Sequence, residues 1–275
     1  MLTELQKRTI QAIVNVFETG KPAGDYTNVT LLPGDPGHLT YGRSQTTLSS
    51  GGLWRLVDTY CAAAAGKSSN DLRDYLPRLD ARDVTLDQDA RFRGLLREAG
   101  SDEMMQRVQD DFFDRAYWEP ALAAAQRLEI PSALGTGVVY DSFIHGAWGR
   151  LRDATTARVG LPSGSAGSST GEGEHEWVRE YVALRRDWLA NHPNPVLRRA
   201  VCRMDTFAAL LVPGNWALAL PVVAHGVLID DAAVATSSRT QPAAASLAAG
   251  GNAHEKEPGH DTSDFAQDHQ ALPRG

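Results

Sequence analysis

In the first twenty positions apolar residues recur among polar ones with the period of an α-helix. Thr3-Glu4-Leu5-Gln6 has the form of a capping box, in which the Thr and Gln side chains bond free backbone groups at a helix start. Apolar side chains then recur three and four positions apart, at Ile10, Ile13, Val14 and Phe17. Because Gly20 is a typical helix-ending residue, the pattern predicts a helix whose last turn carries Glu18.

Residues 22–52 are rich in Gly, Pro, Thr and Ser, with short β-prone pieces at Tyr26–Leu32 and Leu39–Tyr41. These pieces predict a small sheet or hairpin region. Helical spacing returns at Leu53–Ala65 and then dominates the chain. Between Pro and Gly breaks it predicts helices at about 86–98, 101–116, 119–128, 132–147, 174–191 and 194–211. The small polar residues of 160–173 predict a flexible surface loop.

The composition changes after about Asp231. Residues 232–275 consist largely of Ala, Ser, Gly, Gln and His, with one Phe and no Trp or Tyr. Such a segment has too little apolar surface to offset the entropy of ordering it. The sequence therefore predicts an α-rich catalytic domain over residues 1–231 and a disordered low-complexity tail over residues 232–275.

Charge and hydropathy limit the classes of partner. The chain of 275 residues has a formal net charge of −7, which argues against a nucleic-acid partner. It has no run of 18 apolar residues, so we expect no transmembrane segment. Its first residues lack the apolar core and cleavage site of a signal peptide. We therefore expect synthesis in the cytoplasm without a signal peptide.

The sequence offers no pattern for a metal or a cofactor. Cys61 and Cys202 lie in apolar contexts without metal-ligand spacing. They are interpreted as buried free thiols, with a disulfide between them as the open alternative. The histidines form no HExxH pattern, and neither a phosphate-binding glycine loop nor a nucleophile elbow is found. We expect the protein to work without a metal and without a cofactor.

Two carboxyl groups near the N-terminus point to a reaction. Glu18 lies at a helix end beside an apolar stripe, where partial burial would raise its pKa and suit it as a proton donor. Asp35 lies in a Pro-Gly-Asp-Pro-Gly turn that follows. One acid and one carboxylate on opposite sides of a sugar are the minimum for hydrolysing a glycosidic bond. The alternative interpretation is a solvated helix-end carboxylate and an ordinary turn residue.

An ordered set of motifs then carries a resemblance to a known family. Gly34-Asp35 is followed by Leu39-Thr40-Tyr41-Gly42. Farther along the chain are three more motifs: Phe113–Ala121, Val139–Ser142 with His145-Gly146, and Arg203–Thr206 with Gly214-Asn215. Over about residues 2–229 this set resembles the family 46 chitosanases, a branch of the lysozyme superfamily.

The resemblance implies a mainly α (α+β) fold of lysozyme-like type, with two helical lobes and a small β element at the cleft. It implies that Glu18 is the general acid and Asp35 the general base, and that Thr40 holds the attacking water with Asp35. It also implies an inverting mechanism, which needs a wide separation of the carboxyl groups to admit that water.

Other residues receive supporting roles from the same resemblance. In the family an Asp flanked by two Arg forms a buried network behind the acid. The matching residues are Asp141, Arg185 and Arg203, for which an ordinary salt bridge between helices is the alternative. Residues expected to contact the substrate are His38, Tyr41, Arg43 and Arg199. The six tryptophans could include sugar platforms, but we expect most of them to belong to the core.

The chain departs from the family where chitosan would be recognised. Gly52 stands at the position of an acidic residue that binds a glucosamine ammonium, and Gly37-His38 replace a basic residue. Val196–Arg199 are basic where the family is acidic. A cationic polymer needs carboxylates along its cleft. We therefore expect endo-hydrolysis of peptidoglycan, whose acidic substituents suit Arg198, Arg199 and His38. The alternatives are a true chitosanase and a non-catalytic glycan-binding module.

A cell-wall hydrolase without a signal peptide needs another route to its substrate. We expect action in the periplasm or cell wall after delivery by a secretion system or by phage lysis. The expected partners are the polysaccharide and an immunity protein in the producing cell, and the protein itself is expected to be a monomer. The tail is open to two interpretations, a delivery signal or an inert linker.

Overall fold

The structure is a computed structural model that describes residues 2–31, 36–43, 46–63, 66–160 and 172–238. Helices α1 to α13 are Glu4–Thr19, Gly52–Ala62, Ser69–Arg73, Leu76–Asp80, Ala90–Gly100, Glu103–Phe113, Glu119–Arg127, Ala133–His145, Trp148–Arg158, Glu172–Ala190, Pro195–Arg199, Val201–Leu211 and Asp231–Ser238. A 3₁₀ turn covers Val84–Gln88, and a π-helical turn covers Asp114–Trp118. Strands β1 to β5 are Val29–Thr30, Thr40–Tyr41, Thr46–Thr47, Val222–Ala224 and Val227–Ile229.

Helix α1 follows its sequence signals closely. The Gln6 backbone N–H donates to Thr3 Oγ1 at 3.2 Å and the Thr3 N–H donates to Gln6 Oε1 at 2.9 Å, so the capping box is confirmed. Gly20 ends the helix at φ 73°, and its N–H donates to the Val16 carbonyl at 2.9 Å. The apolar face of the helix is buried, and Glu18 lies in the last turn as expected.

The small sheet is also confirmed. Strands β1, β2 and β3 form an antiparallel sheet in that order, with Thr40 of the middle strand opposite Thr30 and Thr47. A second hairpin, β4–β5, was not expected. His225-Gly226 join its strands with φ of 47° and 80°, as in a type I′ turn. The Ala-His-Gly-Val sequence there carries this turn signal, although weakly.

Two hydrophobic cores confirm the two-lobed architecture. The larger core, which we call the helical lobe, is built mainly from α1, α7, α8, α10 and α12. The smaller core, which we call the sheet lobe, packs β1 and β2 against helices α2 to α6. Helix α6 crosses between them, because Val108 belongs to the smaller core and Phe113 to the larger one. The π turn and α7 then continue that helix into the helical lobe.

Several predicted elements differ in detail. The helix expected at 101–116 ends at Phe113 and passes into the π turn, and the one expected at 194–211 is divided near Ala200 into α11 and α12. Helix α9 was not expected. Most of the expected loop at 160–173 lies outside the described residues, and its last two residues begin α10.

The expected start of the tail at residue 232 does not match the structure. Residues 231–238 form α13, and Val234 is 1% exposed in the core of the helical lobe, beside α1 and β5. Val234 and the partly buried Ala233 pack against that core, which the average composition of the segment did not reveal. Residues 239–275 lie outside the described residues, so the tail stays a prediction there.

Aromatic residues mainly build the cores, as expected. Trp118 and Trp177 are buried, and Trp54, Trp148, Trp188 and Trp216 are partly buried against the two cores. Cys61 and Cys202 are free thiols rather than a disulfide, Cys61 buried and Cys202 only partly so. None of the helices in the described ranges is both long and apolar enough to cross a membrane.

Candidate active site

Glu18 is held by a buried arginine. Its side chain is 12% exposed, and its Oε1 accepts a hydrogen bond from Nη1 of Arg203 at 2.8 Å. Arg203 lies on α12, 185 positions later in the chain, and its guanidinium lies over the Phe17 ring at 4.9 Å from the centroid. The end of α1 is therefore fixed to α12 through Glu18, the side chain that the family resemblance predicts as the general acid.

Arg203 joins Glu18 to a second carboxylate, that of Asp141 on α8. Arg203 Nε donates to Asp141 Oδ1 at 2.9 Å, and Nη2 lies 2.6 Å from the same oxygen. Burial by itself would lower the pKa of Arg203, but the charges of Asp141 and Glu18 raise it above its usual range. Arg203 therefore stays cationic and orients both carboxylates.

Arg185 lies in the same buried region with different partners. It donates from Nη1 to the Gly146 carbonyl at 2.8 Å, and its Nη2 lies 3.1 Å from Nδ1 of His145. The resemblance implies that Asp141 lies between Arg185 and Arg203, but among the described residues no ion pair joins Arg185 to Asp141. The observed network is a chain from Glu18 through Arg203 to Asp141. Arg185 instead fixes the end of α8.

His145 supports that arrangement as a neutral group. Burial and the neighbouring charges of Arg203 and Arg185 hold the pKa of His145 well below its usual range. Because a guanidinium has only donors, Nδ1 accepts from Arg185 and the ring proton lies on Nε2. The sequence motif contained His145 but gave no indication of this role.

Tyr117 is a residue near Glu18 that sequence reasoning did not select. It belongs to the π turn, a feature often found at functional sites. Burial and the charge of Glu18 raise the pKa of Tyr117. The signal that could have found it is its place in the Phe113–Ala121 motif.

The other side of the expected site is only partly described. Asp35, the expected base, lies outside the described residues. Thr40 is on β2, buried, in the centre of the small sheet. His38 precedes it with φ 60°, and its Nδ1 lies 2.8 Å from Asp87 Oδ2. Asp87 also accepts from the Leu39 N–H at 2.9 Å, so it anchors the chain that leads into β2.

Two expected substrate contacts are contradicted by the structure. Tyr41 is 0% exposed in the core of the sheet lobe, because alternate residues of a strand face opposite sides and its side is inward. Arg43 is 6% exposed and pairs with Asp110. Neither side chain is available to a polymer in this structure.

The two arginines of α11 are both exposed but differ in their hydrogen bonds. Arg198 donates from Nη1 to the carbonyls of His192 at 2.8 Å and Pro193 at 3.0 Å, so it holds the chain that follows α10. Arg199 is exposed, as a substrate contact requires. Within the described ranges no group of three or more His, Cys, Asp or Glu side chains is arranged to hold a metal.

Comparison with known proteins agrees with this arrangement of lobes and motifs. The model of glycosyl hydrolase family 46 matches residues 12–222. A chitosanase of Bacillus subtilis (strain 168) is 27% identical over 232 residues, which are 80% of this chain and 82% of that protein.

Solved structures of chitosanases have a similar fold. The native chitosanase from Bacillus subtilis MY002 has a TM-score of 0.68 at 24% identity, over 84% of this chain and 100% of that one. A mutant of that chitosanase complexed with 6 GlcN has a TM-score of 0.67 at 25% identity, with the same coverage. The family 46 chitosanase of Gynuella sunshinyii in complex with chitotetraose has a TM-score of 0.67 at 23% identity, over 84% and 98% of the two chains.

The family match covers most of the chain and includes both lobes, the helix that carries Glu18 and the helix that carries Arg203. The chain belongs to glycosyl hydrolase family 46 and is a chitosanase-like glycoside hydrolase.

Proposed function

We propose that this protein is an endo-acting, inverting hydrolase of chitosan, the β-1,4-linked polymer of glucosamine. The observation that carries the proposal is the similarity to chitosanases, one of them solved with 6 GlcN bound. The net charge of −7 is in keeping with it, since an acidic protein attracts a polycation. This choice reverses the order given by the sequence, which favoured peptidoglycan.

The structure weakens the sequence argument for peptidoglycan. Arg198 is bonded to backbone carbonyls, and His38 is held by Asp87. Two of the three groups expected to recognise acidic substituents therefore have partners inside the protein. Arg199 and the equally exposed Arg198 are nevertheless cations that a cationic polymer would not favour.

In the proposed reaction Glu18 donates a proton to the leaving oxygen of the glycosidic bond. Arg203, 2.8 Å from Glu18, then stabilises the carboxylate that remains. Asp35 activates a water on the other face of the sugar, and Thr40 holds that water beside it. Asp141 contributes indirectly, because it neutralises and orients Arg203.

Peptidoglycan is the second candidate. It is favoured by the positive charge of Arg199 and by the absence of a carboxylate at Gly52. Gly52 starts α2 and is buried, and a Cβ added there would lie 3.1 Å from Ser50 Oγ. Glycine has no carboxylate, whereas the resemblance places an acidic residue of the family at this position. Only a peptidoglycan hydrolase would require delivery into the periplasm and an immunity protein in the producing cell.

We expect the purified protein to cleave chitosan into oligomers and to leave isolated sacculi intact. The two substrates differ in the charge that the cleft must attract. Mass spectrometry of the soluble products from both substrates, incubated side by side, measures the difference. Muropeptide release from sacculi without chitosan cleavage would establish the second candidate, and no product from either would favour a non-catalytic module.

We also expect the first sugar products to have the α-configuration at the new reducing end. An inverting reaction on a β-bond gives this result because water attacks from the face opposite the leaving group. Proton NMR recorded within the first turnovers distinguishes the anomers before they equilibrate. An initial β-anomer would mean that a protein carboxylate attacks the sugar, and Asp35 would then be a nucleophile rather than a base.

A further inference from the structure

Arg43 lies where the two lobes meet, in the turn that follows β2. Its guanidinium pairs with Asp110 of α6 and lies over the Phe113 ring, 5.3 Å from the centroid. Its Nε donates to Oδ1 of Asn15 on α1 at 3.1 Å. A residue of the sheet lobe therefore bonds directly to the helix that carries Glu18.

The backbone of Arg43 is held by the same turn of α6. The Arg43 N–H donates to Gln109 Oε1 at 2.9 Å, and Gln109 Nε2 donates to the Tyr26 carbonyl at 3.0 Å. The Tyr26 hydroxyl donates to Asp110 at 2.9 Å. We call these five residues, Asn15, Tyr26, Arg43, Gln109 and Asp110, the Arg43 cluster.

Close packing at two glycines restricts one side of the cluster. Gly42 has φ 74°, and a Cβ there would overlap the side-chain amide of Gln109. A Cβ at Gly24 would lie 2.9 Å from Cγ of Arg43. Two glycines thus allow the stem of Arg43 and the α6 turn to approach closely. On the other side Asn15, Tyr26, Arg43 and Asp110 line a small cavity, so the guanidinium is held there by its bonds to Asn15 and Asp110.

The cluster connects both sides of the site along short stretches of chain. Asn15 precedes Glu18 by three positions, one turn along the same face of α1. Thr40 precedes Arg43 by three positions, and Thr40 lies in the middle strand of the sheet. A displacement of Arg43 relative to Asn15 would therefore change the separation of Glu18 and Thr40.

We propose that Arg43 is a positioning residue that sets the separation between the acid helix and the strand that carries the water-holding threonine. This inference rests on the proposed function, because it assigns Glu18 and Thr40 to opposite sides of one reacting sugar. An inverting enzyme needs a defined separation, since the water must fit between the base and the sugar.

Arg43→Lys tests the proposal, because lysine keeps the positive charge opposite Asp110 but has no Nε donor for Asn15. We expect kcat on chitosan to fall by about 10- to 100-fold and KM to change by less than about threefold, since a misplacement of about 1 Å can cost about 10²-fold in rate. Asn15→Ala removes the contact with α1 but leaves the Arg43–Asp110 pair, and we expect the same change.

The matched control is Arg78→Lys. Arg78 pairs with Asp83 and Asp89 inside the sheet lobe, at 2.8 and 3.0 Å, without contact to α1 in the described residues. We expect its kcat and KM to equal those of the unaltered protein. Melting temperatures of all variants, measured by circular dichroism, separate lost activity from lost folding.

A second measurement needs no substrate. Spin labels at exposed positions of the two lobes, introduced by Arg55→Cys and Ala190→Cys after Cys61→Ala and Cys202→Ala, report the distance between the lobes. We expect Arg43→Lys to broaden the distance distribution and Arg78→Lys to leave it unchanged. If the unaltered protein does not cleave chitosan, the proposed function fails, and the distances still decide the role of Arg43.

Two results would overturn the proposal. One is a kcat for Arg43→Lys within about twofold of the unaltered value, given that a positioning role predicts a much larger loss. The other is a lower melting temperature with an unchanged distance distribution, which would make Arg43 a residue of stability alone.

Discussion

Glu18→Gln will lower the turnover of chitosan by about 10²–10⁴-fold, the range that general acid catalysis contributes. Glutamine has nearly the shape of glutamate, and its carbonyl oxygen can accept the hydrogen bond from Arg203 Nη1 that Glu18 accepts at 2.8 Å. What it lacks is an acidic proton that it can transfer to the leaving oxygen, because amide protons are not acidic enough. The release of reducing ends, measured at saturating substrate, gives the change in kcat.

The control for this substitution is Glu4→Gln on the same helix. Glu4 lies in the first turn of α1, is 54% exposed and pairs with Arg8. The same chemical change there should leave turnover as it was. The circular dichroism spectrum of Glu18→Gln should match that of the unaltered protein. Turnover close to the unaltered value would remove Glu18 from the mechanism.

Arg203→Met will destabilise the protein by about 3–5 kcal/mol, because it leaves a buried carboxylate without its partner. Asp141 is fully buried and bonds Arg203 at 2.9 Å, and Glu18 bonds the same guanidinium at 2.8 Å. Methionine fills much of the space but neutralises neither carboxylate. Urea unfolding curves at neutral pH measure the free energy of unfolding.

Arg186→Met is the comparison for Arg203→Met. Arg186 pairs with Asp205 at 2.6 Å, but both side chains are about half exposed, at 49% and 51%. Exposed pairs contribute at most about 1 kcal/mol, so this variant should unfold almost as the unaltered protein does. Equal losses in the two variants would mean that Arg203 is not needed to neutralise Asp141.

The sequence by itself determined the elements that depend on near neighbours. The start of α1 rests on Thr3 and Gln6, three positions apart, and its end rests on the backbone freedom of Gly20. The small sheet follows from β-prone pieces between turn residues. The family could be recognised for a similar reason, since its motifs are short and stand in order along the chain.

Roles that depend on distant contacts were predicted less well. Tyr41 and Arg43 stand beside Thr40 in the sequence, so the motif made both of them candidates for the substrate. Their burial is decided by packing against helices that come much later, and Arg43 meets Asp110 67 positions away. Likewise, the sequence predicts Arg198 only as a surface cation, and the structure shows that this exposed side chain also holds the backbone that follows α10.

Only the tertiary structure shows which charged side chains form ion pairs with one another. Glu18, Asp141 and Arg203 come from α1, α8 and α12, and only the packing of these helices in one core brings both carboxylates within 3 Å of the Arg203 guanidinium. The same packing buries Val234 and so extends the domain through α13. Periodicity and capping report interactions within a few residues, whereas burial and ion pairing depend on which faces of distant helices are pressed together. For that reason the helical pattern predicted Glu18 at its helix end, and the family resemblance named two arginines behind it, but only the fold shows that Arg203 is the one bonded to Glu18.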